Sequence, residues 1–173
     1  MAVAAEFRRK MPRPLPPGWV GNAFMVVSSE EVPVSDLIGP GGLKIAARAL
    51  RKAVNGVDAP LIQSYISLAR SSESPALIST KLAERFHTTG LFLSSQRGFD
   101  HANMSWGQAF GKYQGVFAPD GFPCGGFIIC KPPLPDGRWE LAVNLERQAM
   151  ELFEKDEEWG EYTKEIGTVS VMT

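Results

Sequence analysis

Histidine and cysteine are scarce, with two of each among 173 residues. A mechanism needing an imidazole base therefore has only His87 and His101 to draw on. Neither has the acid that would orient it: Ser105 stands where an HxxxD motif starting at His101 requires aspartate, and Leu91 stands there after His87. Cys124 and Cys130 come without a CxxC pair or a Cys/His cluster, so the usual zinc and redox patterns are absent and no metal is expected. Alternation along one strand would put both cysteines on the same face, too far apart along it for an ordinary disulfide.

Charge of one sign is lacking too. Eighteen Lys and Arg residues face nineteen Asp and Glu, which leaves no positive field to attract nucleic acid or an anionic membrane. No apolar run approaches the roughly 20 residues that span a bilayer, and Met1 to Lys10 turns from apolar to basic, the reverse of a secretory signal. A soluble, cytoplasmic chain follows, with a small or proteinaceous partner. No G-x-S-x-G elbow, Walker loop or Rossmann glycine fingerprint is present, and Gly39 to Gly42 reads as a flexible lead-in to a helix.

What is present suffices for one domain, because 44% apolar residues over this length can build a core. Two proline-rich stretches, Met11 to Gly18 and Lys131 to Gly137, mark loops. Trp19 to Val27 has the β-branched and aromatic content of a buried strand. Leu43, Ala46, Ala47, Leu50, Ala53 and Val54 recur at helical spacing, with Gly56 as a stop. The other face of that helix carries Lys44, Arg48, Arg51 and Lys52, read as a solvated face. Asp58 and Pro60 open a second helix through Leu68, closed by the run from Ser71 to Pro75. Strands are predicted at Leu91 to Ser95, Tyr113 to Ala118, Gly126 to Lys131 and Arg138 to Leu145, and a helix over Glu146 to Glu157. The segment from Trp159 to Thr173 is left without assignment. The result is an α/β fold, a mixed sheet flanked by helices.

Three stretches carry a resemblance to a known family. Arg8-Arg-Lys-Met-Pro-Arg-Pro-Leu-Pro-Pro-Gly-Trp-Val-Gly-Asn-Ala23 resembles the BAHD acyltransferase segment D-G-R-S-R-L-x-P-P-L-P-P-G-Y-F-G-N-A. Ser94-Ser95 followed by Ser105-Trp-Gly-Gln-Ala-Phe-Gly-Lys112 is similar to that family's S-S-W segment and its D-F-G-W-G-K motif in the looser fungal form. Pro132 to Gly137 and Leu141 to Phe153 resemble its closing strand and helix in order and spacing.

The resemblance implies a chloramphenicol-acetyltransferase-like C-terminal domain spanning 1–173, without the N-terminal half that bears the family's HxxxD motif. It implies transfer of an acyl group, often acetyl, from acyl-CoA as cosubstrate to a hydroxyl or amine of a small, secondary-metabolite-like acceptor. No tightly bound cofactor is implied. The base would come from an HxxxD-bearing domain or subunit, and no catalytic residue is assigned within this chain. Gly21, Asn22, Ser94, Ser95 and Gln96 would shape the acceptor and pantetheine channel. Arg8, Ser105, Trp106, Gly107, Gly111 and Lys112 would form the structural motif.

Two departures stand out. Ser105 replaces the aspartate that, in the family, pairs with an arginine aligned to Arg8, which weakens or re-routes that contact. Gln96 stands where many members have tryptophan, which alters the acceptor wall. The competing reading is a catalytically inactive module, derived from the same fold, that binds a small molecule or a protein.

Overall fold

The structure, a computed structural model, describes residues 1–71, 90–99, 103–111, 126–134 and 136–164. His87, His101, Lys112, Cys124 and the strand expected at Tyr113 to Ala118 lie outside them.

Five strands make one mixed sheet: β1 (Ala2–Glu6), β2 (Phe24–Ser28), β3 (Leu91–Ser95), β4 (Gly126–Cys130) and β5 (Leu141–Leu145), in the order β2-β1-β3-β4-β5. The central strands β1, β3 and β4 run parallel, and the edge strands β2 and β5 are antiparallel to their neighbours. The mixed α/β sheet expected from the sequence is therefore what forms.

Strand β1 was not anticipated, because alanine has little strand preference of its own. Its place between two strands decides the matter: Ala2 and Ala5 are buried there, and each pairs across the ladder with a β2 residue. The strand expected over Trp19 to Val27 is shorter at its start and one residue longer at its end. Gly18 at φ 80° and Gly21 at φ 144° adopt backbone that other residues rarely take, so the chain turns there and pairing begins only at Phe24. Val20 is consequently 92% exposed. The strand expected from Arg138 likewise starts late, at Leu141, because a local turn ties the Arg138 backbone N–H to Asp136 Oδ1 at 3.0 Å.

The helices follow the sequence more closely. A five-residue helix, α1 (Val34–Ile38), precedes α2 (Gly42–Asn55), whose charged face is exposed and whose Lys52 meets Glu30 at 2.6 Å. Gly42 is where α1 and α2 come closest, since any Cβ there would collide with the Leu37 carbonyl. In α3 (Ala59–Arg70), Asp58 caps the start by accepting from the Leu61 N–H at 3.0 Å, and Pro60 fits the first turn. The helix expected over Glu146 to Glu157 is divided into α4 (Arg147–Phe153) and α5 (Glu157–Tyr162). Asp156 divides them: its carboxylate accepts from the Trp159 N–H at 2.7 Å and opens a new helix, while the Phe153 and Trp159 rings meet at 4.7 Å.

Alternation assigns the two faces of the sheet. Ala5 and Met25 are register partners and, with Phe7, Ala23, Val57 and Ile62, form the core beneath α3. The opposite face carries Ala2, Phe127 and Ile129, all buried, with Phe92 stacked on Phe127 at 5.4 Å. Among the described residues no helix is long and apolar enough to cross a membrane.

Candidate functional site

Because β1, β3 and β4 are parallel, their carboxyl ends lie at one end of the sheet, and the antiparallel β2 and β5 begin there. Ligands of open α/β sheets commonly bind just beyond such ends, where loops leave the sheet in different directions. This topology brings Gly21 and Asn22, just before β2, to the same end of the sheet as Ser94, Ser95 and Gln96, at the end of β3. More than seventy residues of chain separate the two groups.

Each group is held differently. The Arg8 guanidinium donates to the Gly21 carbonyl at 2.7 Å and to Glu6 Oε1 at 2.8 Å, and it lies 5.7 Å from the Trp19 ring centre. These contacts fix the Gly21-Asn22 turn against the end of β1, helped by the Phe7 N–H bond to the Ala23 carbonyl at 2.9 Å. Asn22 lines an open groove of about 490 Å³, walled by Phe7, Phe24 and Met25 from the sheet and by Tyr65 and Ile66 from α3.

At β3, alternation puts Ser94 on the face of Phe92 and Ser95 on the helix-covered face. The two serines thus point opposite ways, and Ser94 shares its face with Gln96. The backbone of Gln96 is fully engaged: its N–H donates to the Cys130 carbonyl at 2.8 Å, and its carbonyl accepts from the Phe99 N–H at 3.0 Å. Its side-chain Oε1 is buried without a hydrogen-bond partner.

Four neighbouring residues were not singled out from the sequence. Lys131, one step past the last β3–β4 register pair, bonds Glu140 at 3.2 Å across to β5, with both side chains about three-quarters buried. Arg97 lies over the Trp139 ring at 4.5 Å. Only the strand register reveals these partners, because nothing in the local sequence marks Lys131 and Glu140 as opposite one another. Nearby, the Arg138 guanidinium beside Asp136 holds that exposed carboxyl below its usual range. Burial pushes the Cys130 thiol up, which keeps it protonated at neutral pH and unsuited to nucleophilic attack.

The motif residues form a closed loop of their own. Ser105 Oγ accepts from the Gly107 N–H at 3.2 Å and reaches the Gly111 carbonyl at 3.4 Å. That carbonyl also accepts from the Trp106 N–H at 3.0 Å, and the Gly111 N–H returns to Gly107. Gly107 and Gly111 both have positive φ, near 80°, which closes the loop. Trp106 is half exposed. Arg8, for which the sequence suggested a weakened or re-routed partner, is held by Glu6 and Gly21.

The model of the transferase family matches residues 1–159, and the chain belongs to that family. It is 27% identical over 142 residues to Acyltransferase M4 of Phoma sp., covering 80% of this chain and 28% of that protein. Over 172 residues it is 27% identical to Enoyl-CoA isomerase/hydratase claC of Penicillium crustosum, covering 98% of this chain and 19% of that one. Its fold matches TRI101 of F. sporotrichioides, solved in complex with coenzyme A and T-2, at a TM-score of 0.65 and 19% identity over 96% of this chain and 41% of that one. The chain thus spans well under half the length of each of these proteins. The family and the fold implied by the motif resemblance are both found.

Proposed function

We propose that this chain supplies the C-terminal half of an acyl-CoA-dependent acyltransferase that moves an acyl group, acetyl in the simplest case, to a hydroxyl or amine of a small secondary metabolite. The observation that carries the reading is the match of the transferase family to residues 1–159, and the position of Gly21-Asn22 and of Ser94-Gln96 at the carboxyl end of the sheet is consistent with it. Support for the donor comes from TRI101, which shares the fold and was crystallised with coenzyme A.

In this reading the acceptor O–H or N–H loses its proton to a base on an HxxxD-bearing half, carried on the same polypeptide or on another. The freed oxygen or nitrogen attacks the thioester carbonyl, the new bond forms as the C–S bond breaks, and the coenzyme A thiolate takes up the proton. This chain's part is to hold donor and acceptor so that the reacting atoms meet, which alone can contribute several kcal/mol of a barrier. Arg8 serves that role indirectly by fixing the Gly21-Asn22 turn. The cytoplasm suits an acyl-CoA donor and reduced cysteines.

Calorimetric titration of coenzyme A tests the donor assignment. Saturable binding to the chain combined with a separately expressed HxxxD half, tighter than to either part alone, is expected. Binding that the chain does not improve would exclude it from the donor site.

A further inference from the structure

Strand β2 closes the sheet on one side, and its outward edge is unpaired among the described residues. In an antiparallel pair, hydrogen-bonded residues alternate with residues whose backbone groups point away. The Phe7 N–H bond to the Ala23 carbonyl and the Ser29 N–H bond to the Met1 carbonyl fix that alternation, so Ala23, Met25, Val27 and Ser29 turn their backbone towards β1. Phe24 and Val26 therefore each hold an N–H and a carbonyl outward, and no described group meets them. Such edges are usually defended by charge, proline or a bulge. Phe-Met-Val-Val-Ser has neither charge nor proline, and its register to β1 is unbroken.

The open groove of about 490 Å³ follows this same edge. Alternation puts Met25 on the helix-covered face and Phe24 and Val26 on the other, so a groove touching all three runs along the rim of the strand. Its far wall is the second half of α3, with Tyr65, Ile66, Ala69 and Arg70. Arg70 is the one charged residue in the lining, and its guanidinium has no ion-pair partner among the described residues.

We infer that the groove between β2 and α3 docks an extended, acidic peptide segment of another protein, which adds to β2 as a further strand, lays apolar side chains on Tyr65 and Ile66, and gives a carboxylate to Arg70. Main-chain bonds to Phe24 and Val26 supply affinity, and the side chains that enter the groove supply selectivity. Arginine pairs best with a carboxylate, through two parallel donors, and this chooses the occupant. A second copy joining edge to edge would bring Phe24–Ser28, which has no carboxylate, and would leave Arg70 unmatched. The inference goes beyond the acyltransferase reading and holds whether or not the chain takes part in transfer.

The probe is a fluorescein-labelled heptapeptide, Asp-Thr-Val-Thr-Val-Thr-Asp, whose valines and aspartates share one face of a strand, titrated into the full chain and read by anisotropy. Saturable binding is expected, about tenfold weaker when both aspartates are replaced by asparagine. Arg70→Gln should bind the two peptides equally. Val26→Pro removes one outward N–H and keeps the bonds to β1, since proline is tolerated at an open edge, and should fold by circular dichroism while losing about tenfold or more in binding. A peptide N-methylated at its three central residues tests the same pairing from the other side and should bind as weakly. Amide exchange by NMR should show Phe24 and Val26 exchanging fast in the unbound chain, Met25 and Val27 slowly, and the first pair slowed by peptide. No binding by wild type, equal binding of the aspartate and asparagine peptides, or undiminished binding of the N-methylated peptide or by folded Val26→Pro overturns the inference. So does unchanged exchange at Phe24 and Val26, or a dimer in sedimentation that Val26→Pro dissociates, which would assign the edge to a second copy.

Discussion

Arg8 donates from Nη2 to the carbonyl oxygen of Gly21 at 2.7 Å, thirteen residues along the chain. The same guanidinium holds Glu6, so a single planar fork ties the end of β1 to the turn that leads into β2. Guanidinium suits this because it offers several donors in fixed directions, where an ammonium acts as one point charge. Arg8→Lys should therefore lose one of the two contacts, and Arg8→Ala both. Urea unfolding is expected to show a loss of about 1 kcal/mol for alanine and roughly half of that for lysine. No loss with alanine would mean that the turn is held by other bonds.

Gly21 tolerates no side chain. Its φ of 144° is one that other residues rarely adopt, and a Cβ there would stand 2.6 Å from the Trp19 ring. Gly21→Ala is expected to destabilise by about 1–3 kcal/mol and to displace the indole from Arg8. Tryptophan fluorescence of the folded variant, read against Trp19→Phe, checks the displacement.

The anchor between α3 and the sheet is Ile62, 1% exposed in the core beneath the helix. Ile62→Ala should cost about 2–5 kcal/mol, the range for truncating a buried aliphatic side chain. Asp58→Ala, which removes only the cap on the same helix, should cost about 1 kcal/mol. Chemical denaturation of the two variants distinguishes them, and a reversed order would contradict the placement of α3.

Asp136 supplies a test in pH. Its side-chain bonds to Arg138 hold the carboxyl below its usual range, so the folded chain keeps it ionised at a pH where the unfolded chain has begun to protonate it. Whatever stability this gives is present above the unfolded carboxyl pKa and is lost as pH falls through the lower, folded value. Carbon NMR titration should place the Asp136 midpoint below that of an unstructured aspartate, and Arg138→Gln should bring it back up.

The sequence showed α2, α3, β3 and β4 well, and the short alanine strand β1, the short helix α1 and the break between α4 and α5 poorly. Leu43 to Val54 repeats at helical spacing, and Asp58 and Pro60 announce a helix start, so the extents of α2 and α3 were legible, although Leu43 and Ala47 of the expected apolar face are exposed and Gly42 and Ala49 are the buried residues of α2. Nothing local marks Ala2–Glu6 as a strand, because its role depends on being enclosed by β2 and β3. The helix past Glu146 reads through to Glu157 from its apolar positions Ala149, Met150, Leu152 and Phe153, and the capping bond of Asp156 that divides it is visible only in three dimensions. For the site, resemblance picked out Gly21, Asn22 and Ser94 to Gln96. What it did not show was that Ser94 and Ser95 point to opposite faces, or that Gln96 has a buried oxygen without a partner. The first follows from alternation along the strand once its extent is known, and the second from the packing around Gln96, which depends on residues distant in the sequence.

The most direct measurement of the central claim is acyl transfer from acetyl-CoA to a panel of hydroxylated acceptors, followed as released thiol, by this chain mixed with a separately expressed HxxxD-bearing half. Turnover is expected only in the mixture, and mutation of the HxxxD histidine to alanine should abolish it. Turnover by this chain alone would contradict the claim that its base lies elsewhere, and no turnover in the mixture would contradict the acyltransferase reading itself.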